Sequence, residues 1–366
     1  MKRTKPPFRA DHVGSLLRTA AIRDSRLKRE NGEISADELK AVEDREIEAI
    51  IRKQEETGLQ AVTDGEFRRA WWHLDFLERL SGAESFFRGE GVAFHGVKTR
   101  PKGVRVAGKL DFNGHPMIEH FKFVQSHTKR TAKMTIPSPT AMHYREGRAG
   151  ISKTIYPDIA EFFHDLGNAY RKAVRAFADA GCRYLQLDEV YLALLCDPEQ
   201  HKILRNQGED PETLPTVYAD VINRAISDIP QDMTITMHLC RGNFRSTFMA
   251  SGGYEPIAEL LFNRLNIHGY FMEYDTERAG GFEPLRFAPK HKTVVLGLVT
   301  SKTGTLESKD EIKRRIDQAA KFIDLDQLCL SPQCGFASTE EGNILAEEEQ
   351  WAKLRRIVEI ADEVWG

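Results

Sequence analysis

The stretch "TITMHLCRGN", from Thr234 to Asn243, is an apolar run that ends in polar and charged residues. Its β-branched and apolar side chains are typical of a buried strand. Because side chains alternate between the two faces of a strand, His238 and Cys240 share one face near the end of the run. The stretch therefore predicts a buried strand that carries a nitrogen donor and a sulfur donor at its carboxyl end.

Seven further apolar runs of similar length occur along the chain, and stretches with apolar residues at helical spacing separate them. Residues 35–58 and 159–181 are two such stretches, each with a glycine at the end, where helices commonly terminate. This alternation indicates successive βα units, and eight of them predict an α/β fold, a (β/α)8 TIM barrel. The predicted strands are residues 11–15, 61–66, 133–139, 184–190, 234–240, 269–275, 293–299 and 327–335.

Residues 81–128 interrupt the alternation between the second and third predicted strands. The segment contains several glycines and the alternating run "VRVAGKLDF", which together predict an inserted β-hairpin. The chain has no internal repeat and no stretch rich enough in Pro, Gly or Ser to separate two domains. We therefore expect residues 1–366 to form a single barrel, with an insertion at residues 81–128.

The charge balance favours a small-molecule partner. Lys and Arg total 52 against 55 Asp and Glu, and no block of like charge indicates binding to nucleic acid or to an acidic membrane surface. The basic start "MKRTKPPFRADHVGS" is not followed by an apolar stretch, and no apolar run approaches the about 18 residues of a membrane span. These features predict a cytoplasmic protein with no membrane partner, and they leave the oligomeric state open.

The five cysteines are an odd and widely scattered set, which favours free thiols or metal ligands over disulfides. A barrel carries its chemistry at the carboxyl ends of its strands, where Glu273 of "FMEYD" and Cys334 of "SPQCG" lie. Zinc accepts nitrogen, sulfur and carboxylate donors in tetrahedral geometry, so His238, Cys240, Glu273 and Cys334 form a predicted zinc site. A salt bridge for the glutamate and a core position for each cysteine are the alternatives.

The strand ends also carry a resemblance to a known family. The motifs "HVGSLLR", "VTDGEFRR", "LQLDEV", "HLCRGNF", "FMEYD" and "LSPQCGFAST" resemble those of the C-terminal catalytic barrel of cobalamin-independent methionine synthase. The resemblance extends from about Phe8 to about Ile344 and is to the short, single-barrel branch of the family. It implies a catalytic zinc at the four positions named above and methyl transfer to the thiol of homocysteine, giving methionine.

The resemblance further implies a homocysteine site. Ser15 of "VGS" and nearby backbone would hold the amino-acid carboxylate, while Glu66 of "DGE" and Asp188 of "LDE" would bind the ammonium. The chemistry of these residues agrees with that assignment, because two carboxylates suit a primary ammonium and a Gly-Ser turn offers donors to a carboxylate. A salt bridge to Arg68 or Arg69 is the alternative role for Glu66.

The methyl donor and the general acid complete the implied reaction. In the family's long enzymes a histidine after strand 7, in a segment D-x-H-S, protonates the departing folate, and Lys302 of "GLVTSKTGTLES" occupies the matching place. The folate-stacking tryptophan of the family falls near "PSPTAMHYREG", where His143 and Tyr144 are the nearest rings. The donor is then 5-methyltetrahydrofolate, a methylated corrinoid protein or another methylated small molecule.

Three other functions stay open from the sequence. A related small thiol could replace homocysteine as the acceptor, and a zinc-dependent hydrolase could use the same barrel with zinc-activated water. Hydrolase sites favour histidine and carboxylate ligands, whereas two cysteines suit a zinc that activates a thiol. A binding barrel without catalysis is the third, and the metal content of the protein distinguishes it.

Overall fold

The computed structural model describes residues 3–87 and 102–366 in full, together with the backbone of residues 93–94 and 97–98. Part of the predicted insertion, residues 88–101, therefore lies largely outside the described residues. The strands, in chain order, are β1 Ala61–Val62, β2 Ser81–Phe87, β3 Ala93–Phe94, β4 Val97–Lys98, β5 Lys102–Asp111, β6 Thr131–Ala132, β7 Met134–Pro137, β8 Tyr184–Glu189, β9 Thr234–Leu239, β10 Gly269–Glu273, β11 Thr293–Val299 and β12 Leu328–Pro332.

The strands β7 to β12 form one parallel sheet in which each strand pairs with its neighbour in the chain. A second parallel pair joins β1 to β6, which is separated from β7 only by Lys133. Almost every residue of β7 to β12 is buried on both faces, as expected for parallel strands covered by helices. The predicted α/β fold with a parallel sheet is thereby confirmed.

The helices lie between the strands of the parallel sheet or flank them. In chain order they are α1 Ala20–Glu30, α2 Ala36–Thr57, α3 Leu74–Leu77, α4 Met117–His127, α5 Ile159–Asp179, α6 Tyr191–Leu194, α7 Pro198–Asn206, α8 Leu214–Ala225, α9 Lys309–Ala319 and α10 Glu347–Trp365. The ends of α2 show why the sequence folds this way. Ser35 and Glu38 form a capping box at its start, and Gly58 ends it in the left-handed conformation, with φ of 99°. No helix among the described residues combines the length and apolar character that a membrane crossing requires.

The segment predicted as the first strand, residues 11–15, does not form a regular strand. Ala10 makes a single parallel bridge to Leu330 of β12, and the Asp11 amide donates to the Leu330 carbonyl at 3.0 Å. On the other side, the Leu16 amide donates to the Gly65 carbonyl just after β1, also at 3.0 Å. The segment therefore lies between the last strand of the sheet and β1, but with few ladder hydrogen bonds.

Two antiparallel pairs follow β1. The first joins β2 to β5, and the second joins the two short strands β3 and β4 between them. Helix α4 then leads back to β6 at the parallel strands. The alternating run at residues 104–112 thus overlaps an antiparallel strand.

A buried ion pair ties the N-terminal segment to the interior. Lys133 and Asp11 are both buried, with 3.4 Å between Lys133 Nζ and Asp11 Oδ1. Tyr184 of β8 donates its hydroxyl to the other carboxylate oxygen at 2.8 Å, and the Phe8 and His12 amides donate to the same group. These side-chain bonds replace the ladder that a regular first strand would make.

Replacing Lys133 by methionine should destabilise the protein, because it leaves the buried Asp11 carboxylate without its cation. We expect the free energy of unfolding in urea to fall by about 3 kcal/mol or more, the usual size when one partner of a buried pair is removed. The control is Lys129→Met, an exposed lysine whose replacement should change stability by less than about 0.5 kcal/mol. Equal stability of the two variants would contradict the structural role given to the pair.

Candidate metal centre and substrate cleft

Three soft donors converge at the carboxyl ends of the strands. His238 lies in β9, Cys240 follows its last residue, and Cys334 follows β12. One ligand atom from each lies within 4.8 Å of the others, and the two sulfurs are 3.6 Å apart. All three side chains are buried, and neither ring nitrogen of His238 has a hydrogen-bond partner among the described residues. A buried imidazole without a partner, facing two thiols, is an arrangement that one metal ion would satisfy.

The protonation states within this group are coupled. The hydrogen bond between the two thiols raises the pKa of Cys240 well above its usual value and holds that of Cys334 well below it. Burial lowers the pKa of His238, but Cys334 and the nearby carboxylates raise it by more, so the net shift is upward. One nitrogen with two sulfurs is a donor set that fits zinc.

Glu273, the fourth predicted ligand, lies close by but does not join the three donors. Its carboxylate is fully buried and has no hydrogen bond from the described residues. One oxygen is 3.5 Å from Arg278 Nη2 and 3.9 Å from Arg241 Nη1. Burial raises the pKa of Glu273, and the negative charge of Cys334 acts in the same direction. The carboxylate thus lies near Arg241, which is fully buried, and Arg278, which is mostly buried.

Lys302 lies in the loop after β11, near the cluster of His238, Cys240 and Cys334. Its ammonium is 3.3 Å from Asp275 Oδ2, and its positive charge lowers the pKa of both Glu273 and Cys334. It is not among the described residues that line the neighbouring cleft. The predicted general acid is therefore near the three candidate metal ligands, with its ammonium close to an aspartate.

A cleft opens beside the three donors. The structure brings together there six of the predicted site residues, namely Ser15, Glu66, Asp188, His238, Cys240 and Cys334. Their convergence follows from the sheet, because Asp188 of β8 pairs directly with His238 of β9. Ser15 packs against Gly335, where a Cβ atom would come within 1.9 Å of the serine hydroxyl, so only glycine fits.

The turn that presents Glu66 is conformationally strained. Gly65 has φ of 64° and Glu66 itself φ of 60°, a left-handed conformation that a glutamate rarely adopts. The Asp64 carboxylate accepts the Glu66 amide at 2.8 Å and stabilises the turn. Strain of this kind is commonly found where a side chain must point in one direction for binding.

Two buried carboxylates face the cleft. Glu66 accepts a hydrogen bond from Thr135 Oγ1 at 2.9 Å, and its other oxygen is 3.7 Å from Arg69, one of the two predicted salt-bridge partners. Burial, and then the charge of Glu66, raises the pKa of Asp188 to about 7. Burial raises the pKa of Glu66 as well. Such a pair suits a ligand that brings a positive charge.

Aromatic residues that the sequence did not identify form another wall of the cleft. Trp71, Trp72 and Phe244 line it, and Trp71 stacks on Phe244 with 6.0 Å between ring centroids. The two adjacent tryptophans soon after "DGE" are the feature of the sequence from which this wall could have been predicted. By contrast, His143 and Tyr144 are buried and do not line the cleft.

Comparisons with known proteins agree with one another. A family model described as "Cobalamin-independent synthase, Catalytic domain" matches residues 8–363. A Bacillus subtilis protein described as uncharacterized protein YxjH is 53% identical over 366 residues, which are 100% of this chain and 96% of that protein. A Listeria monocytogenes crystal structure, described as a candidate vitamin-B12 independent methionine synthase, is 44% identical over 100% of both chains, with a TM-score of 0.81. A 5-methyltetrahydropteroyltriglutamate–homocysteine methyltransferase of Bacillus velezensis is 25% identical, over 95% of this chain and 42% of that enzyme.

The cluster of His238, Cys240 and Cys334 predicts the metal content of the protein. We expect the purified protein to hold about one zinc per chain and Cys334→Ala to lose most of it, because the change removes one of three soft donors. The control is Cys182→Ala, which removes a buried cysteine outside the group and should leave the zinc content unchanged. Elemental analysis after gel filtration measures both, and full occupancy in Cys334→Ala would exclude this cysteine as a ligand.

Proposed function

The chain belongs to the cobalamin-independent synthase catalytic-domain family, and from this premise we propose that it transfers a methyl group to the thiol of homocysteine, giving methionine. One observation carries the proposal: a group of three soft metal ligands and a pair of buried carboxylates line the same cleft. The first would bind the sulfur of the substrate through a metal ion, and the second would bind its ammonium. Homocysteine carries both groups on one short chain.

We also infer that residues 1–366 form a single (β/α)8 barrel with an insertion at residues 81–128. The N-terminal segment would be the strand that completes the barrel, since its backbone bonds to β12 on one side and to the end of β1 on the other. The distance between the two thiols supports the closure. In a flat sheet β9 and β12 would be about 14 Å apart, yet Cys240 and Cys334 are in contact.

In the proposed site His238, Cys240 and Cys334 hold a zinc ion, with Glu273 as the fourth ligand. Bound zinc would lower the pKa of a substrate thiol, so that its sulfur reacts as a thiolate near neutral pH. The inclusion of Glu273 is supported by its complete burial and by its missing hydrogen bonds among the described residues. Arg278 and Arg241 would then position that carboxylate rather than neutralise it.

The two carboxylates would position the amino acid. Burial raises the pKa of both carboxylates, and the charge of Glu66 raises that of Asp188 further. An ammonium between Glu66 and Asp188 would offset these effects, so both would be ionised in the complex. Ser15, with the backbone around it, would donate to the substrate carboxylate. With its sulfur on the zinc and its amino-acid group held by these residues, homocysteine would present its sulfur to the methyl donor. This fixed orientation would remove much of the entropic cost of a two-substrate reaction.

We propose 5-methyltetrahydrofolate as the methyl donor and Lys302 as the general acid. When the sulfur takes the methyl group, the N5–methyl bond breaks and its electron pair stays on N5, which must then gain a proton. The Lys302 ammonium, held by Asp275, would supply that proton to N5 and become a neutral amine. Water would restore the proton before the next turnover.

The ammonium site can be tested by binding alone. Asp188→Asn and Glu66→Gln should each weaken homocysteine binding to the zinc-loaded protein by roughly 1–3 kcal/mol, the range for a charge-assisted hydrogen bond in a site that excludes water. Titration calorimetry measures the affinity. The matched controls are Asp228→Asn and Glu56→Gln, exposed residues that should bind homocysteine as the wild type does. Unchanged affinity in both site variants would remove the pair from the proposed site.

The general acid can be tested by kinetics. In Lys302→Ala, kcat for folate-dependent methyl transfer should fall by ~10²-fold or more, while homocysteine affinity stays the same. Lys321→Ala, an exposed lysine, is the control. A Lys302→Ala kcat within about threefold of the wild type would assign the proton to another group.

A further inference from the structure

We propose that Tyr254 is a positioning residue of the metal site, because its buried hydroxyl ties together the ends of the two strands that present Cys240 and Glu273. The inference rests on the proposed function, since it concerns the zinc ion of that site. Tyr254 does not line the cleft, and its hydroxyl is bonded to the protein backbone and to Arg241. It would therefore act on the ligands only through the backbone that carries them.

The pairing of β9 with β10 stops just before the two ligand positions. The last partners in this register are Leu239 and Met272, one residue short of Cys240 and of Glu273. Beyond that pair the two chains follow different neighbours, since the Cys240 amide donates to a carbonyl of β8 at 3.1 Å and Glu273 pairs with β11. The two ligand positions therefore lie where the direct pairing between β9 and β10 has ended.

The Tyr254 hydroxyl bridges the two strands at this point. It accepts the Glu273 amide at 2.9 Å, and it can donate to the Leu239 carbonyl at 3.3 Å or to the Glu273 carbonyl at 3.4 Å. Leu239 is the last residue of β9, and Glu273 is the last residue of β10. A single hydroxyl thus connects the residue before Cys240 to the proposed fourth ligand.

Arg241, which follows Cys240 directly, holds the tyrosine in place. Its Nη1 donates to the Tyr254 hydroxyl at 2.7 Å, and its guanidinium carbon lies over the Tyr254 ring, 3.9 Å from the centroid. Its Nε and Nη2 both donate to the Gly252 carbonyl, at 2.9 Å and 2.6 Å. Because one guanidinium contacts the ring, the hydroxyl and the backbone of the same loop, Tyr254 has little freedom to move away from the strand ends.

Burial makes these bonds hard to replace. Tyr254 and Arg241 are both fully buried, so water does not reach them. Without the hydroxyl, the Glu273 amide and Arg241 Nη1 would each lose a short hydrogen bond in the interior, which is costly for a buried donor. A shift of the strand ends would lower that cost, and it would move Glu273 relative to Cys240.

A displaced ligand matters to zinc, which binds at short distances and in tetrahedral geometry. Removing a group that orients a metal ligand typically lowers metal affinity by roughly 10- to 100-fold. The Tyr254 hydroxyl would therefore contribute to zinc affinity without contacting the ion.

The first test is zinc affinity, measured by competition with a chelator. Tyr254→Phe removes only the hydroxyl and should weaken zinc binding by roughly 10- to 100-fold. The matched control is Tyr218→Phe, which removes another buried hydroxyl, 2.8 Å from His143 Nδ1 and outside the cleft. This control should bind zinc as the wild type does. Urea unfolding of the zinc-free proteins measures how much stability each variant loses.

The second test separates positioning from a general loss of stability. Co²⁺ bound in place of zinc absorbs visible light in bands whose position and strength depend on the number and arrangement of its ligands. At saturating Co²⁺, Tyr254→Phe should give weaker and shifted bands, because Glu273 no longer occupies its position in a four-coordinate site. Tyr218→Phe should give the wild-type spectrum, even where the two variants lose equal stability.

Arg241→Lys provides the same test if Tyr254→Phe does not fold. Lysine keeps the positive charge, but a single ammonium does not reproduce the planar guanidinium that bonds to Tyr254 and to Gly252 together. It should also weaken zinc binding and change the Co²⁺ spectrum. Arg171→Lys, an exposed arginine outside the cleft, is its control and should match the wild type.

The outcomes separate this inference from the proposed function. A wild-type Co²⁺ spectrum in folded Tyr254→Phe, whatever its zinc affinity, would overturn the positioning role while leaving the zinc site and methyl transfer intact. A wild-type protein that binds neither zinc nor Co²⁺ would overturn the zinc site of the proposed function, and this inference with it.

Discussion

The convergence of the strand ends is the constraint on which the site depends. In the parallel sheet Asp188 is directly opposite His238, which fixes a carboxylate beside a candidate metal ligand. The curvature of the sheet brings the two cysteines together. Two strands separate β9 from β12, and yet the sulfurs of Cys240 and Cys334 are 3.6 Å apart. A flat sheet would leave these sulfurs too far apart for one ion. The site is thus a consequence of the curvature of the sheet, and the buried contacts of Asp11 stabilise the segment that lies beside β12.

The site concentrates groups that are costly to bury without their ligands. Glu66 and Asp188 have raised pKa values, His238 lacks a hydrogen-bond partner among the described residues, and the Glu66 backbone is strained. Each feature lowers stability in the absence of a ligand. A cation or an ammonium would offset the cost of the buried carboxylates and of the unpaired imidazole, while the backbone strain would remain. This is the expected balance for a binding site that is organised before its substrate arrives.

The sequence was most informative where burial dictates a pattern. Parallel strands covered on both faces give uninterrupted apolar runs, so seven of the predicted strands overlap observed ones. Residues 11–15 do not form the predicted strand. The Asp11 carboxylate accepts hydrogen bonds from backbone amides that, in a regular strand, would bond to a neighbouring strand. The sequence also did not predict the roles of residues that lie outside regular strands and helices. Nothing in the spacing of Trp71 or Arg278 shows which way their side chains point, because residues outside regular strands and helices follow no periodic pattern.

The central claim is that the sulfur of homocysteine binds a zinc ion held by two cysteines and a histidine. X-ray absorption at the zinc edge tests it most directly, because the number of sulfur neighbours at about 2.3 Å can be counted with and without substrate. The account predicts two sulfurs in the protein alone and three after homocysteine is added. A sulfur count that does not change with homocysteine, or a purified protein that binds no zinc, would contradict it.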